Sequence, residues 1–379
     1  MTDLGRPAIL IVAISGRALV AAARKAGFAP LVADLFGDLD TRGLADAWAV
    51  VPGDLALGFD REALLQALEA LATGREPLGI VYGGGFDGRP DLIADLGERW
   101  PLLGNDAETT RLIKHPLRFA ALCRELDIPH PGVATLSEIA PGKLLVKRAG
   151  GSGGTHVRHF NGAPLQEGEY LQPFIGERSV SALFCAGLGH CEVIGFSEQW
   201  TDPDAAPFAY GGAARPAALD ATMAVAMAEA VKRISQAAGL NGLNSADFRL
   251  DREKYWLIEI NPRPGGSLDV FHDRNGQLFA YHVAACRGEL PPEHCRATWA
   301  EPLIFDDAAV AEILYATRCV SAVPACDWPE WTADRQAPDT RVERGWPLCT
   351  ITARAGTVDE ARALSRSRKA AMRAILERG

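Results

Sequence analysis

The residues best suited to chemistry lie in LIEINPRPGG, where Glu259 and Asn261 stand two apart. On a strand, that spacing projects both side chains from one face. Asp247 lies in NSADF, before a short DREK turn, so the two stretches predict an antiparallel pair that brings all three together. Two carboxylates and an amide oxygen suit a hard cation such as Mg²⁺, which takes a few protein oxygens and completes its shell with substrate phosphates. A single acid on a strand ordinarily marks a solvated face. Here Glu259 and Asn261 interrupt the apolar Leu257, Ile258 and Ile260, and polar groups beside a buried strand need partners.

Two more segments offer phosphate and base contacts. LLVKRAGGSGGTHV ends an apolar run with Lys147 and continues through Gly150, Gly151, Ser152, Gly153 and Gly154, a loop able to close over phosphates without side-chain obstruction. The GK[ST] ending of a Walker loop is absent, and alone the segment reads as a flexible hairpin connection. YLQPFIGERSVSALF places Gln172, Phe174 and Ile175 before a turn at Gly176 and the acid Glu177, a piece able to meet an adenine edge and ribose hydroxyls. By itself it reads like any hairpin. GGGFDGRP (83–90) follows a predicted strand, where open α/β sheets place ligands, and reads equally as an amide cradle or as a tight turn that needs glycine.

Other residues carry less. His156 and His159 read as surface or packing groups, and Cys185 with Cys191, or His294 with Cys295, lack zinc spacing. Trp328 and Trp331 are expected to pack the C-terminal segment, and Arg362, Arg366, Arg368 and Arg373 to form a solvated helix face. AISGR, after the first apolar run, lacks the GxGxxG of a nicotinamide site.

The elements that must position these residues begin as α/β. Apolar strands at 8–14, 30–34, 48–51, 79–83 and 101–105 alternate with helices over 17–26, 62–72 and near 91–97, predicting a parallel sheet. A single helix is expected over 109–126, before IPHPG imposes an extended exit. Then come strands carrying the loops above, an alanine-rich helix over 221–238, a strand over 347–353 and a last helix from Val358 with a Thr357/Glu360 capping box.

Bulk properties set outer limits. With 379 residues, 48% hydrophobic, and mean hydropathy near zero, the chain is long enough for two or three domains. A formal charge of −9 gives it no reason to seek nucleic acid or anionic membrane, so any anionic ligand needs a local positive site. No apolar run approaches a membrane span, the start lacks a secretory pattern, and the eight scattered cysteines point to a reduced compartment; a cytoplasmic address is expected.

These segments, in this order and with Lys114 upstream on the helix before IPHPG, resemble the ATP-grasp superfamily, and an INPRPG ending resembles its predicted carboxylate-amine ligases. The resemblance implies a Rossmann-like N-terminal domain over 1–108, a two-lobed α+β ATP-grasp domain over 109–295 with a glycine-rich lid at 147–156, and an α+β C-terminal segment over 296–379 packed on the core. It implies ATP and Mg²⁺ (Mn²⁺ substituting), with Lys114 and Lys147 on the phosphates and Gly151 to Gly154 closing over them. Gln172, Phe174 and Ile175 correspond to the adenine hinge, where many members have Glu in place of Gln172. Glu177 corresponds to the ribose acid, Asp247, Glu259 and Asn261 to the metal ligands, and Arg263 to the arginine at the transferring phosphate. The activity implied joins a small carboxylate to an amine through an acyl-phosphate, with glutamate ligation in one-carbon cofactor synthesis as one setting. Carboxyphosphate chemistry and non-catalytic ATP sensing are the alternatives; the sequence leaves the oligomeric state open, and a homodimer would be unsurprising for an enzyme of this size.

Overall fold

The computed structural model describes residues 5–133, 143–271, 276–289 and 305–378. Along the chain the first layer contains β1 (Ala8–Ala13), α1 (Arg17–Lys25), β2 (Ala29–Asp34), α2 (Leu39–Leu44) and β3 (Ala47–Val50). A small hairpin, β4 (Gly53–Asp54) and β5 (Gly58–Phe59), leads to α3 (Arg61–Ala72), β6 (Ile80–Tyr82) and α4 (Pro90–Arg99). The order β3-β2-β1-β6 is parallel throughout. Alternate residues of β1 explain it: Leu10 and Val12 enter one apolar cluster with Leu64 and Leu68, while Ile9 and Ile11 enter another with Val20 and Phe279. Burial on both faces is the signature of a parallel sheet between helical layers.

The expected fifth strand does not form. Residues 101–105 touch the sheet by one parallel bridge, Ile80 to Leu102, and then turn so that Asn105 serves as a polar connector. Its Nδ2 donates to Asn244 Oδ1 and to the Pro262 carbonyl, both at 2.8 Å, and its Oδ1 accepts from the Asn241 amide at 2.8 Å. The predicted 109–126 helix is two helices, α5 (Ala107–Lys114) and α6 (Pro116–Glu125). Pro116 explains the break, because it lacks an amide hydrogen and fits the first turn of a new helix. Lys114 thereby becomes a helix-terminal residue, free to turn toward the sheet.

A three-stranded sheet follows, formed by β7 (Leu144–Arg148), β8 (Arg158–His159) and β9 (Glu169–Pro173), with Leu144, Val146, Phe160 and Leu171 as its own core. The largest sheet comprises β10 (Arg178–Gly187), β11 (His190–Thr201), β12 (Tyr210–Arg215), β13 (Gly242–Leu250) and β14 (Tyr255–Asn261), joined by β15 (Ala308–Tyr315), β16 (Thr332–Ala333) and β17 (Pro347–Ala355). Its order, β14-β13-β10-β11-β12-β15-β17-β16, is antiparallel at every pairing. The C-terminal strands thus extend this sheet rather than only lying against it.

Helices cover the sheet. α7 (Ala221–Ala238) starts where the Asp220 carboxylate accepts from the Met223 amide and stops at Gly239 in the left-handed region. α8 (Gln277–Cys286) packs against α1, β10 and β13, tying the large sheet to the N-terminal layer. α9 (Val358–Arg378) opens with the capping box: the Thr357 amide donates to Glu360 at 3.1 Å and the Glu360 amide to Thr357 Oγ1 at 3.3 Å. Its arginines are not the solvated face expected. Arg362 reaches Glu198 across Trp200, Arg368 donates to the Thr352 carbonyl over Trp331, and Arg373 pairs with Asp204 at the surface; Arg366 and Arg373 are the exposed two of the four. Trp328 and Trp331 border the C-terminal core. Among the described residues, no helix is long and apolar enough to cross a membrane.

Candidate active site

Antiparallel register assembles the acidic end of the site. β13 and β14 set Asp247 opposite Glu259 and Ser245 opposite Asn261. Ser181 Oγ, on neighbouring β10, donates to Asp247 Oδ1 at 2.6 Å, and Asn261 Nδ2 donates to Asp247 Oδ2 at 2.9 Å. Burial, then the charge of Glu259, push the Asp247 carboxyl up to about 6. Burial acts in the same direction on Glu259, but Lys114, Lys147 and His156 outweigh it and hold that carboxyl below its ordinary range. Two half-buried carboxylates and an amide make an oxygen set that fits a hard divalent cation, with room left for other oxygen donors. Among the described residues no group of three or more His, Cys, Asp or Glu side chains could hold a metal, so such an ion would depend on Asn261 and on a ligand.

The cations come from three directions. Lys147, on β7, is buried and donates to Gln172 Oε1 at 3.1 Å. Burial, reinforced by Lys114, lowers its ammonium below the usual lysine value despite Glu259. Lys114, at the end of α5, donates to Asn261 Oδ1 at 2.9 Å and pairs with Glu259 at 3.5 Å. Its third partner is Asp87 at 3.0 Å, and Asp87 also accepts from Arg263 Nε at 3.0 Å. Asp87 is almost fully buried; burial would raise its carboxyl, but Arg263 and Lys114 outweigh that and lower it. Asp87 belongs to GGGFDGRP, whose glycines read equally as an amide cradle or as a tight turn. None of 83–90 lines the main cavity, and the loop contributes this buried carboxylate instead.

A cavity of about 580 Å³ runs from this cluster, a volume typical of small-molecule sites. It is lined by Lys147, Ser152, Gly153, Gly154, Gln172, Phe174, Ile175, Asp247, Glu259, Asn261 and Arg263, but not by Lys114, Gly151 or Glu177. Lys114 and Gly151 face a smaller pocket behind, where the His156 ring occupies the space a side chain on Gly151 would need. Glu177 sits in the turn after Gly176, its amide donating to the Leu250 carbonyl, and lines a separate shallow pocket with Arg178 and Arg252. Ser179, two residues later on β10, faces the cavity instead, so the ribose role read for Glu177 does not match its placement.

The glycine loop is docked. The Tyr210 amide donates to the Gly153 carbonyl at 2.9 Å, and Gly154, at φ +77°, lies so close to Phe208 that a Cβ would overlap its carbonyl oxygen. Gly150 meets Gly88 of the N-terminal layer in the same way. His159 packs edge-on to Phe174 and against Phe208, with ring centroids 5.7 and 5.0 Å away. Arg249, which the sequence did not single out, braces the hinge: its guanidinium donates to the Ile175 carbonyl at 3.1 Å and the Gly176 carbonyl at 2.6 Å. Only its position opposite Ser179 on the paired strand reveals that task. His294 and Cys295 lie outside the described residues.

With this geometry in view, comparison with known proteins is decisive for the fold. The ATP-grasp domain family matches residues 117–267. That stretch is an ATP-grasp domain. A search of curated proteins by sequence gives no match. Among solved structures, the L-amino acid ligase from Bacillus licheniformis is 16% identical with a TM-score of 0.69, covering 95% of this chain and 96% of that one. N5-carboxyaminoimidazole synthetase from Staphylococcus aureus is 16% identical with a TM-score of 0.66, covering 98% and 97%. The biotin carboxylase domain of the Hydrogenobacter thermophilus 2-oxoglutarate carboxylase, solved with MgADP and bicarbonate, is 12% identical with a TM-score of 0.69, covering 94% and 88%. At these identities the likeness establishes a shared fold along nearly the whole chain.

Proposed function

We propose that the chain is an ATP- and Mg²⁺-dependent ligase that joins a small carboxylate to an amine through an acyl-phosphate. The observation that carries this is the half-buried Asp247–Glu259 pair facing Lys147 and Arg263 at one end of a cavity roofed by a docked glycine loop. Similar structures bear the names of an amino acid ligase and a carboxyaminoimidazole synthetase, and another was solved with MgADP. Asp247, Glu259 and Asn261 would hold the metal, which when bound supplies charge neutralisation to the phosphates.

In this reading, Lys147 is a buried cation whose ammonium burial disfavours, and a phosphate beside it offsets that burial. Arg263 is held in place by Asp87, so the phosphoryl group meets a donor that needs little reorganisation, while Lys114 adds positive charge from behind Asn261 and Glu259. Arg263 is placed to stabilise negative charge on the transferring phosphate and then on the tetrahedral oxyanion. The Ser152 to Gly154 loop excludes water from the acyl-phosphate while the amine attacks. No side-chain nucleophile is needed.

The test is ADP and phosphate release from purified protein with MgATP across pools of carboxylic acids, amines and bicarbonate, with Glu259→Ala as control. Release that requires both an acid and an amine and disappears in the variant is the expected result. Release dependent on bicarbonate alone would replace the reading with carboxyphosphate chemistry. Full turnover in Glu259→Ala would remove the metal assignment.

A further inference from the structure

The cavity does not end at the phosphate-binding side. It continues between loops of the N-terminal layer and the C-terminal strands, walled by Ile14, Phe36, Leu55, Ile313, Tyr315 and Pro347. The three cations that line the cavity, Lys147, Arg249 and Arg263, belong to β7, β13 and the turn after β14. The far end, by contrast, is faced by Asp38 and Asp334.

These acids are short of positive charge. Asp334 accepts from Arg17 Nη2 at 2.8 Å, from Ser15 at 2.9 Å and from Thr350 at 2.5 Å, while the same guanidinium also serves Asp269. Asp38 caps α2, accepting from the amides of Asp40 and Thr41 and from the Thr41 hydroxyl, while the cation near it, Arg335, is bonded to Asp40. Four carboxylates, Asp38, Asp40, Asp269 and Asp334, therefore share two arginines, Arg17 and Arg335. Burial, and after it the charge of Asp334, raise the Asp38 carboxyl.

A second, independent feature points to a ligand. Gln336 is 4% exposed, lines the same end and makes no hydrogen bond with a described residue. The Tyr210 hydroxyl, which also lines the cavity, is buried without a hydrogen-bond partner. Buried polar groups left open toward a cavity are ordinarily satisfied by what the cavity holds.

We propose that this end is the seat of a protonated amine, with the ammonium between Asp38 and Asp334, a hydrogen donated to the Gln336 amide oxygen, and an apolar body against Phe36, Leu55 and Ile313. The proposal rests on the ligase reading above and assigns its amine partner to named residues. A carboxylate substrate is repelled from this end and directed toward Arg263, so the two substrates are sorted by charge along one cavity.

The experiment is isothermal titration of the full chain, with and without saturating MgADP. The probes are butyl, cyclohexylmethyl and benzyl groups, each presented as primary amine, alcohol and carboxylate. At least one amine should bind ten times more tightly than its alcohol and carboxylate counterparts. Asp38→Asn, which keeps an N-capping side chain on α2, should erase that preference, and Gln336→Leu should weaken it severalfold. If no amine is preferred over its counterparts, or if the preference survives in both variants, the proposal is wrong. If MgADP does not bind, the nucleotide reading fails, and the titrations on the nucleotide-free chain still decide the acidic end.

Discussion

Replacing Asp87 by Asn tests the charge balance on which the site depends. Six buried or partly buried groups meet there: Lys114, Lys147 and Arg263 against Asp87, Asp247 and Glu259. Formally they cancel. Asp87 sits 3.0 Å from both Lys114 and Arg263 and is nearly inaccessible, so the substitution leaves two cations with a neutral amide where a carboxylate stood. Breaking a buried pair in this way costs about 3–5 kcal/mol. Nucleotide changes the sign of the argument, because its phosphates offer negative charge to the same cations. The empty variant should therefore lose about 3 kcal/mol or more in urea denaturation, while its affinity for MgADP rises about tenfold, or 1.4 kcal/mol. Titration calorimetry at fixed salt measures the second quantity. A loss below about 1 kcal/mol in the empty protein, the range of unremarkable substitutions, or equal destabilisation with and without MgADP, would refute the reasoning.

Other substitutions separate binding from folding. Lys147→Met should leave the empty protein as stable or more so, since burial already disfavours its charge, yet reduce ligation about a hundredfold or more; denaturation and steady-state turnover check the two halves. Gly154→Ala places a methyl group where the Phe208 carbonyl lies, at a φ that costs an L-residue about 1 kcal/mol, so the loop should fail to dock. ATP hydrolysis uncoupled from ligation is the expected sign. Asp247 binds a proton up to about pH 6 in the empty protein but only to 3.8 when unfolded, so its contribution to stability is present below 3.8 and lost as pH rises through about 6. A metal takes the ionised form. MgADP affinity should therefore climb as pH rises from 5 toward 7 and then level, and Asp247→Asn should flatten the profile.

The sequence by itself determined the local elements and the chemistry of short spans. Two-residue spacing put Glu259 and Asn261 on one face, the DREK turn paired them with Asp247, and glycine runs marked the loop after Lys147. The unbroken apolar run at 8–14, one of several strands alternating with helices, announced a buried strand of a parallel layer, and Thr357 with Glu360 announced the start of the last helix. These are short-range consequences of backbone geometry, so one segment suffices to reveal them. Pro116 is equally visible in the sequence, and as a residue without an amide hydrogen it divides 109–126 into two helices.

What the tertiary structure decided depends on partners remote in the chain. Asp87 meets Arg263 176 positions away, and Arg17 meets Asp334 317 positions away; neither acid carries a local sign of its partner. The turn at Gly176 took Glu177 out of the cavity and left Ser179 facing it, a change in direction that strand alternation alone does not encode. Continuation of the large sheet through β15 and β17 brought Asp334 and Gln336 opposite Asp38, and so created the acidic end of the cavity. Charge at such a site is a sum over segments that touch only after folding, because Coulomb interactions in a buried setting depend on distance in space and on lost solvent.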